Sequence, residues 1–337
     1  MRNQYERVNR DLIPKKELRR FVGPSTGHWL GAVAFEWAII AATMWVCNAL
    51  PHWWVWAPAV FLIGTRQHAL GVLAHDGSHH LVARSLFWND LLSNYLTAYP
   101  MTFTVQGFRS THMKHHWYLE TPADPSKLTI DHHPQEWTFP MSKWKFAGML
   151  LRDLTGLSQK SSASLLKYLW DIPGGIARHI VSIVALHGFF IALCAFTGHV
   201  WTYVLLWLLP LFTVAIACYR VRAIAEHSGI GPQEGRYAST SVDSLLATRT
   251  TVSSNPLVQF LFAPYNITYH IEHHLYPYVP VFRLRALHRE LRDNGEYAEH
   301  AHLTRGYREL FRELTTPGGQ AGPAQARPGA APPPVTS

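Results

Sequence analysis

Cysteine is almost absent from this chain. Of 337 residues only Cys47, Cys194 and Cys218 carry a thiol, and each lies inside an apolar stretch. That excludes a disulfide framework and a thiolate metal cluster, and the three read as small core residues. Charge is scarce as well: Asp, Glu, Lys and Arg make up 15%, against about 25% in ordinary soluble domains. The deficit points to a membrane. No cleavable leader is read at the start, because residues 1–27 are polar, with seven Lys or Arg against three Asp or Glu. This basic segment is expected to stay in the cytosol.

What the chain has instead is apolar length. Hydrophobic residues reach 48% while mean hydropathy sits near zero, so apolar spans must alternate with a sizeable polar part. Residues 29–50 and 53–73 are joined by a short link without Lys or Arg, and residues 180–198 and 201–219 repeat the arrangement. Each arm is close to the ~20 residues that cross a bilayer, so the pattern reads as two transmembrane hairpins. Trp29, Trp53, Trp54 and Trp56 are expected near the interfaces, and Pro210 should kink its helix. The net charge of +8, beside such spans, suits an anionic membrane surface better than nucleic acid.

Polar residues inside the arms carry information. Glu36 and Arg66 each lie fifteen residues from Pro51, at which the first hairpin turns. Antiparallel arms place them at one depth, where an unpaired charge is costly, so an ion pair is expected. The run Arg66-Gln67-His68 marks where the second arm leaves the hydrocarbon. Residues 86–104, interrupted by Asn89, Asp90, Asn94 and Pro100, read as a surface-lying or re-entrant segment. Residues 121–137 are turn-rich and 141–157 amphipathic. Residues 228–255 look loop-like, 281–314 like a helix pair, and the stretch from Thr316, rich in Pro, Gly and Ala, is expected to be disordered.

Histidine is the abundant chemical group, with 21 residues. His112, His115 and His116 in THMKHH share their spacing with His270, His273 and His274 in TYHIEHH, and HDGSHH supplies His75 and His79. On a helix, positions i, i+3 and i+4 lie on one face, so each triplet is expected to aim its imidazoles at one point. His227, beyond the second hairpin, sits at a matching height. These nine suffice for two metals with four or five ligands each, and imidazole suits iron, copper, nickel or zinc. His80, five residues after His75, should point away, His68 should lie beneath the site, and His132 and His133 fall in the turn-rich run. A transporter or membrane haem protein would place histidines at mid-span. His179 and His187 are in or near the third span, but the dense clusters lie outside.

HDGSHH, HMKHH and HIEHH resemble the three histidine boxes of the integral-membrane fatty acid desaturase family, in order and spacing, over roughly residues 30–290. The resemblance implies two irons at the cytosolic membrane surface, held by the same nine histidines and using O2 and reducing equivalents on a fatty acyl chain. It also implies a lone histidine after the fourth span, matched by His227. Some members carry an asparagine four residues before it; here the residue is Ala223, and Asn266, four before His270, is the candidate substitute. Ligating histidines usually give their second nitrogen to a carboxylate or carbonyl. Asp76, Glu226 and Glu272 adjoin a ligand, and Asp124 can reach in from its loop.

The expected architecture is therefore an all-α integral membrane protein, with four transmembrane helices and a cytosolic helical cap around a di-iron site. Its divisions are a basic segment 1–27, a catalytic domain 28–290, a C-terminal helix 291–315 and a tail 316–337. Both termini are expected in the cytosol, at a bacterial inner membrane. No HPGG haem signature, GxGxxG turn or cysteine cluster occurs, so a separate ferredoxin or cytochrome with its reductase is the expected donor, and a basic surface suits an acidic one. Desaturation leads. A di-iron hydroxylase or ketolase of a lipid, carotenoid or small amphiphile is the alternative, because the boxes serve both outcomes.

Overall fold

The computed structural model describes residues 12–127, 134–157, 172, 175–230 and 244–316. His132, His133 and the tail beyond 316 lie outside them. Helix α1 (Thr26–Ala49) and helix α2 (Trp53–Ser78) form the first hairpin. Indole N–H groups, which need a partner when buried, stitch it: Trp29 donates to the Leu73 carbonyl (2.9 Å) and Trp56 to that of Cys47 (3.0 Å). Trp29 is therefore a packing residue, fully buried. Trp53 and Trp54 at the hairpin turn are exposed.

Next come helix α3 (Leu86–Ser93), continued by a π turn over Asn94–Ala98 and a 3-10 turn over Tyr99–Met101, and helix α4 (Val105–Tyr118). Of the polar residues that interrupt residues 86–104, Asn89 donates to the Gly77 carbonyl at the end of α2 (2.8 Å), while Asp90 and Asn94 bond to α4. Position 77 must be glycine for this approach, since a Cβ there would fall 2.3 Å from the Ser93 hydroxyl. Helix α5 (Lys143–Leu154) buries Phe146 and Met149, and its buried Asp153 accepts from Arg220 (3.1 Å).

The second hairpin is helix α6 (Ala177–Phe196) with helix α7 (Val200–His227). Pro210 lacks the N–H that would complete an α turn, and α7 accordingly has a π turn over Val204–Leu208 and a break at Thr213 (φ −126°, ψ −85°). Helices α1, α6 and α7 are long and apolar enough to cross a membrane. Helix α2 is comparable in length, at 26 residues, but its second half carries Arg66, Gln67, His68, His75 and Asp76.

The remaining chain is mostly short helices: α8 (Pro256–Leu261), α9 (His270–Leu275), α10 (Val281–Leu291), α11 (Gly295–His300) and α12 (Tyr307–Thr315). Two features depart from the sequence reading. Strand β1 (Arg249–Thr251), in the stretch read as loop, pairs in parallel with strand β2 (His302–Thr304), so the fold is mostly but not purely helical. Residues 291–315, read as one helix, contain α11, β2 and α12, because Ala301 and Gly306 adopt extended or positive-φ backbone between them.

The expected ion pair is present. Arg66 Nη1 lies 3.3 Å and 3.4 Å from the two carboxylate oxygens of Glu36, with both side chains 1% exposed. Arg66 also donates to the Phe260 carbonyl, and the Tyr265 hydroxyl donates to Glu36. Breaking such a pair from one side leaves a buried charge, at a cost of about 3–5 kcal/mol, whereas an apolar replacement of both partners is often neutral. Glu36→Leu should therefore destabilise the detergent-solubilised protein strongly in thermal unfolding, and adding Arg66→Met should recover most of the loss. A double variant no more stable than the single one would contradict the pairing.

Candidate metal centre

The box histidines come from four elements: His75 in the last turn of α2 and His79 at its cap, His112, His115 and His116 on α4, His227 at the end of α7, and the rest on α9. They sort into two groups, His75, His79, His112 and His273 in one, and His115, His227, His270 and His274 in the other. Within each, the ligand atoms all lie within 4.8 Å of one another. The triplets thus do not aim at a single point. Positions i+3 and i+4 are rotated about −60° and +40° from position i, so each triplet fans out and serves both groups. His116 stands between them, its Nε2 3.1 Å from that of His112 and 3.0 Å from that of His273, with its ring 4.2 Å from the ring of His274.

The donor set fits metal ions. In the second group the Nε2 atoms of His115 and His227 are 3.2 Å apart, and those of His227 and His270 are 2.8 Å apart. Imidazoles that share an ion about 2 Å away have nitrogens about 3 Å apart. Burial, and then the neighbouring imidazoles, push His112, His116, His270, His273 and His274 well below the ordinary histidine value. That direction favours the uncharged imidazole, the form that binds a metal. Both nitrogens of His75 and His274, and Nε2 of His79, are buried without a hydrogen-bond partner. Such groups are rare in native proteins and call for a bound species.

The carboxylates divide by what they touch. His115 donates its Nδ1 proton to Asp124 (3.0 and 3.1 Å), which leaves Nε2 for a metal. Burial raises the Asp124 carboxyl, but His115 and the Glu120 and Ser126 amides outweigh it and hold it below the ordinary carboxylate value. Glu226 lies 3.4 Å from His270 Nδ1 and 2.9 Å from Arg222 Nε.

Asp76 and Glu272 face elsewhere, since helical neighbours point about 100° apart. Asp76 accepts from the Val281 amide (3.3 Å), capping α10. Glu272 accepts from Thr250 (2.6 Å), His288 and Tyr297, which fastens α9 to β1, α10 and α11. Asn266 donates to the Val281 carbonyl (3.4 Å).

Other histidines stand apart from both groups. His80 follows the end of α2 with a positive φ of 60° and is exposed. His68 is buried two residues beyond Arg66, with neither nitrogen paired. His179 and His187 anchor α6, through the Tyr99 hydroxyl (2.7 Å) and the Tyr203 hydroxyl (2.7 Å) respectively. Sequence spacing does not single out Arg109 and Arg249, which both reach the ends of ligand-bearing helices. Arg109 lies one turn before His112, a cue only once α2 is known to end beside it.

Comparison with known proteins points the same way. A family model described as fatty acid desaturase matches residues 51–307, a span that contains all nine histidines. The chain is 26% identical over 280 residues to dihydrorhizobitoxine desaturase of Bradyrhizobium elkanii, covering 79% of this chain and 76% of the relative. It is 24% identical over 277 residues to sn-1 oleoyl-lipid 12-desaturase of Synechocystis sp., covering 79% and 74%.

The geometry separates ligands from bystanders. His79→Ala should remove metal from its group, while His80→Ala leaves metal content unchanged. Asp124→Asn should weaken retention about 10- to 100-fold, the usual effect of losing a group that orients a ligand. Metal analysis and chelator competition on the purified protein read all three, and equal loss at His79 and His80 would reject the assignment.

Proposed function

The chain belongs to the fatty acid desaturase family, and from that premise we propose that it is a membrane di-iron enzyme that uses O2 to place a double bond in a fatty acyl chain. The observation that carries the reading is the pair of buried imidazole groups, joined through His116, in a chain with three helices long and apolar enough for a bilayer. Two irons, when bound, would supply the oxygen chemistry needed to remove hydrogen from an unactivated C–H bond.

The protein's own work is to hold and shield. His75, His79, His112 and His273, with His116, would keep one iron; His115, His227, His270 and His274 would keep the other. Asp124 fixes the His115 tautomer. Apolar residues close around the centre from two sides, Leu70, Leu73 and Val105 in the core on the membrane side and Ile267, Ile271 and Leu275 in the other, and they exclude water that would quench a reactive oxidant. In this reading α1, α2, α6 and α7 are four spans in two hairpins, with both termini and the boxes in the cytosol of a bacterial cell. A separate ferredoxin or cytochrome with its reductase delivers electrons to the basic cytosolic side.

The relatives differ in the substrate for which each is named. The sn-1 oleoyl-lipid enzyme supports an acyl lipid. The relative named for dihydrorhizobitoxine rather than a lipid favours, as a second reading, the same chemistry on another compound.

Expression in a host with compatible reductase partners should yield a lipid lighter by one H2, with a new double bond at one position, and His273→Ala should erase it without changing membrane insertion. Unchanged lipids under active electron supply would move the second reading to the front; gain of one oxygen atom would identify a hydroxylase.

Topology is tested separately, because the links between the arms carry no Lys or Arg while the box segments are flanked by them. Reporter fusions at His52 and His199 should read outside and those at Thr121 and Asp243 inside. Any exchange between these pairs breaks the four-span arrangement.

A further inference from the structure

A helix leaves its last carbonyls without intrahelical partners, and its C-terminus carries partial negative charge. Helices α2 and α7 both end inside the protein beside the metal centre, where water is not at hand to serve those carbonyls. Each end is met by an arginine from another element. Arg109 of α4 donates Nε to the Ser78 carbonyl (2.9 Å) and Nη2 to the Gly77 carbonyl (2.9 Å) at the end of α2. Arg249 of β1, 1% exposed, donates Nη1 to the Ala225 carbonyl (3.2 Å) and the Ser228 carbonyl (2.9 Å) at the end of α7.

A carboxylate holds each arginine from behind. Asp90 takes both Nη atoms of Arg109, one at 3.2 Å and one at 2.5 Å, and is itself steadied by Gln106 (3.0 Å). Glu313 of α12 lies 3.4 Å from Arg249 Nη2 and accepts from His302 (3.0 Å).

The two arginines divide the ligands between them. Arg109 ties α4, which carries His112, to α2, which carries His75 and His79: three of the four residues of the first group. Arg249 sits on the strand whose next residue bridges to Tyr269 and donates to Glu272 of α9, and it grips α7. It thus ties His227 to His270 and His274, three of the four in the second group.

We infer that Arg109 and Arg249 are positioning residues, one for each metal, so that each can be loosened independently of the other. This rests on the di-iron reading above. Lysine cannot reproduce either clamp in full, because one ammonium does not match two carbonyls and a carboxylate in the planar fork geometry of guanidinium.

The test is metal stoichiometry of the full-length purified protein after anaerobic loading with ferrous iron. The wild type should take up two irons per chain, and Arg109→Gln and Arg249→Gln one each. Adding His79→Ala to Arg109→Gln should cost nothing further, whereas adding His227→Ala should remove the remaining iron; the reciprocal pattern is expected for Arg249→Gln. Lysine variants should fall between, losing iron to a chelator faster than wild type but keeping it in part. For an arginine variant that does not fold, Asp90→Asn and Glu313→Gln give the same reading, each loosening only its own iron by about 10- to 100-fold. Two irons retained in both glutamine variants, or parallel loosening of both irons by either clamp, would overturn this inference alone. A wild type that takes up no iron overturns the di-iron reading and this inference with it.

Discussion

A buried nitrogen without a hydrogen-bond partner costs about 1–3 kcal/mol, and this protein gathers several of them, on His75, His79 and His274, into one small volume. No helix would hold them there unaided. Contacts at the ends of the ligand-bearing helices oppose that cost until an ion relieves it: Arg109 with Asp90 at α2 and Arg249 with Glu313 at α7. Because the ligands bind metal only when neutral, the burial that lowers their proton affinity also prepares them as donors.

Sharing of the triplets between groups follows from helix geometry and has a consequence for cooperativity. Helix α4 gives His112 to one group and His115 to the other, and α9 gives His273 to one and His270 and His274 to the other. Neither group can form until both helices are in place. His116, in contact with rings of both, couples them further. Rigidity is thus concentrated between α4 and α9, while α2 and α7 each deliver ligands to one group only, which is what lets a clamp on either act locally.

Much of this was legible in the sequence, for reasons particular to each feature. The eight clustered histidines stood out because their spacing is local, His227 because of its height beyond the second hairpin, and the Glu36–Arg66 pair because a tight hairpin converts sequence distance from the turn into depth. Asp124 could be named since it follows box two by a single turn-rich step. The assignment of Asp76 and Glu272 as neighbours of ligands failed because adjacency in sequence is divergence on a helix. The β1–β2 pairing joins Arg249 to His302 across 53 positions, and three-residue strands offer no alternation to read. Arg249 finds Glu313 by the same non-local route, so its role emerges only from the folded chain.

One set of contacts links the first hairpin to the histidine groups. Arg66 and Glu36 are bound not only to each other but to the Phe260 carbonyl and the Tyr265 hydroxyl, on the segment that leads into α9. Tyr265 and Asn266 take positive φ values of 55° and 62°, a conformation that costs a non-glycine residue about 1–3 kcal/mol unless its surroundings impose it. The hydroxyl of Tyr265 held at Glu36, and the Asn266 amide held at Val281, are what impose it here. The chain is thereby turned sharply four residues before His270, so that α9 starts at a height fixed by a charge pair inside the first hairpin. The ion pair that keeps two buried charges tolerable inside the first hairpin is therefore also the datum from which the third histidine box is measured.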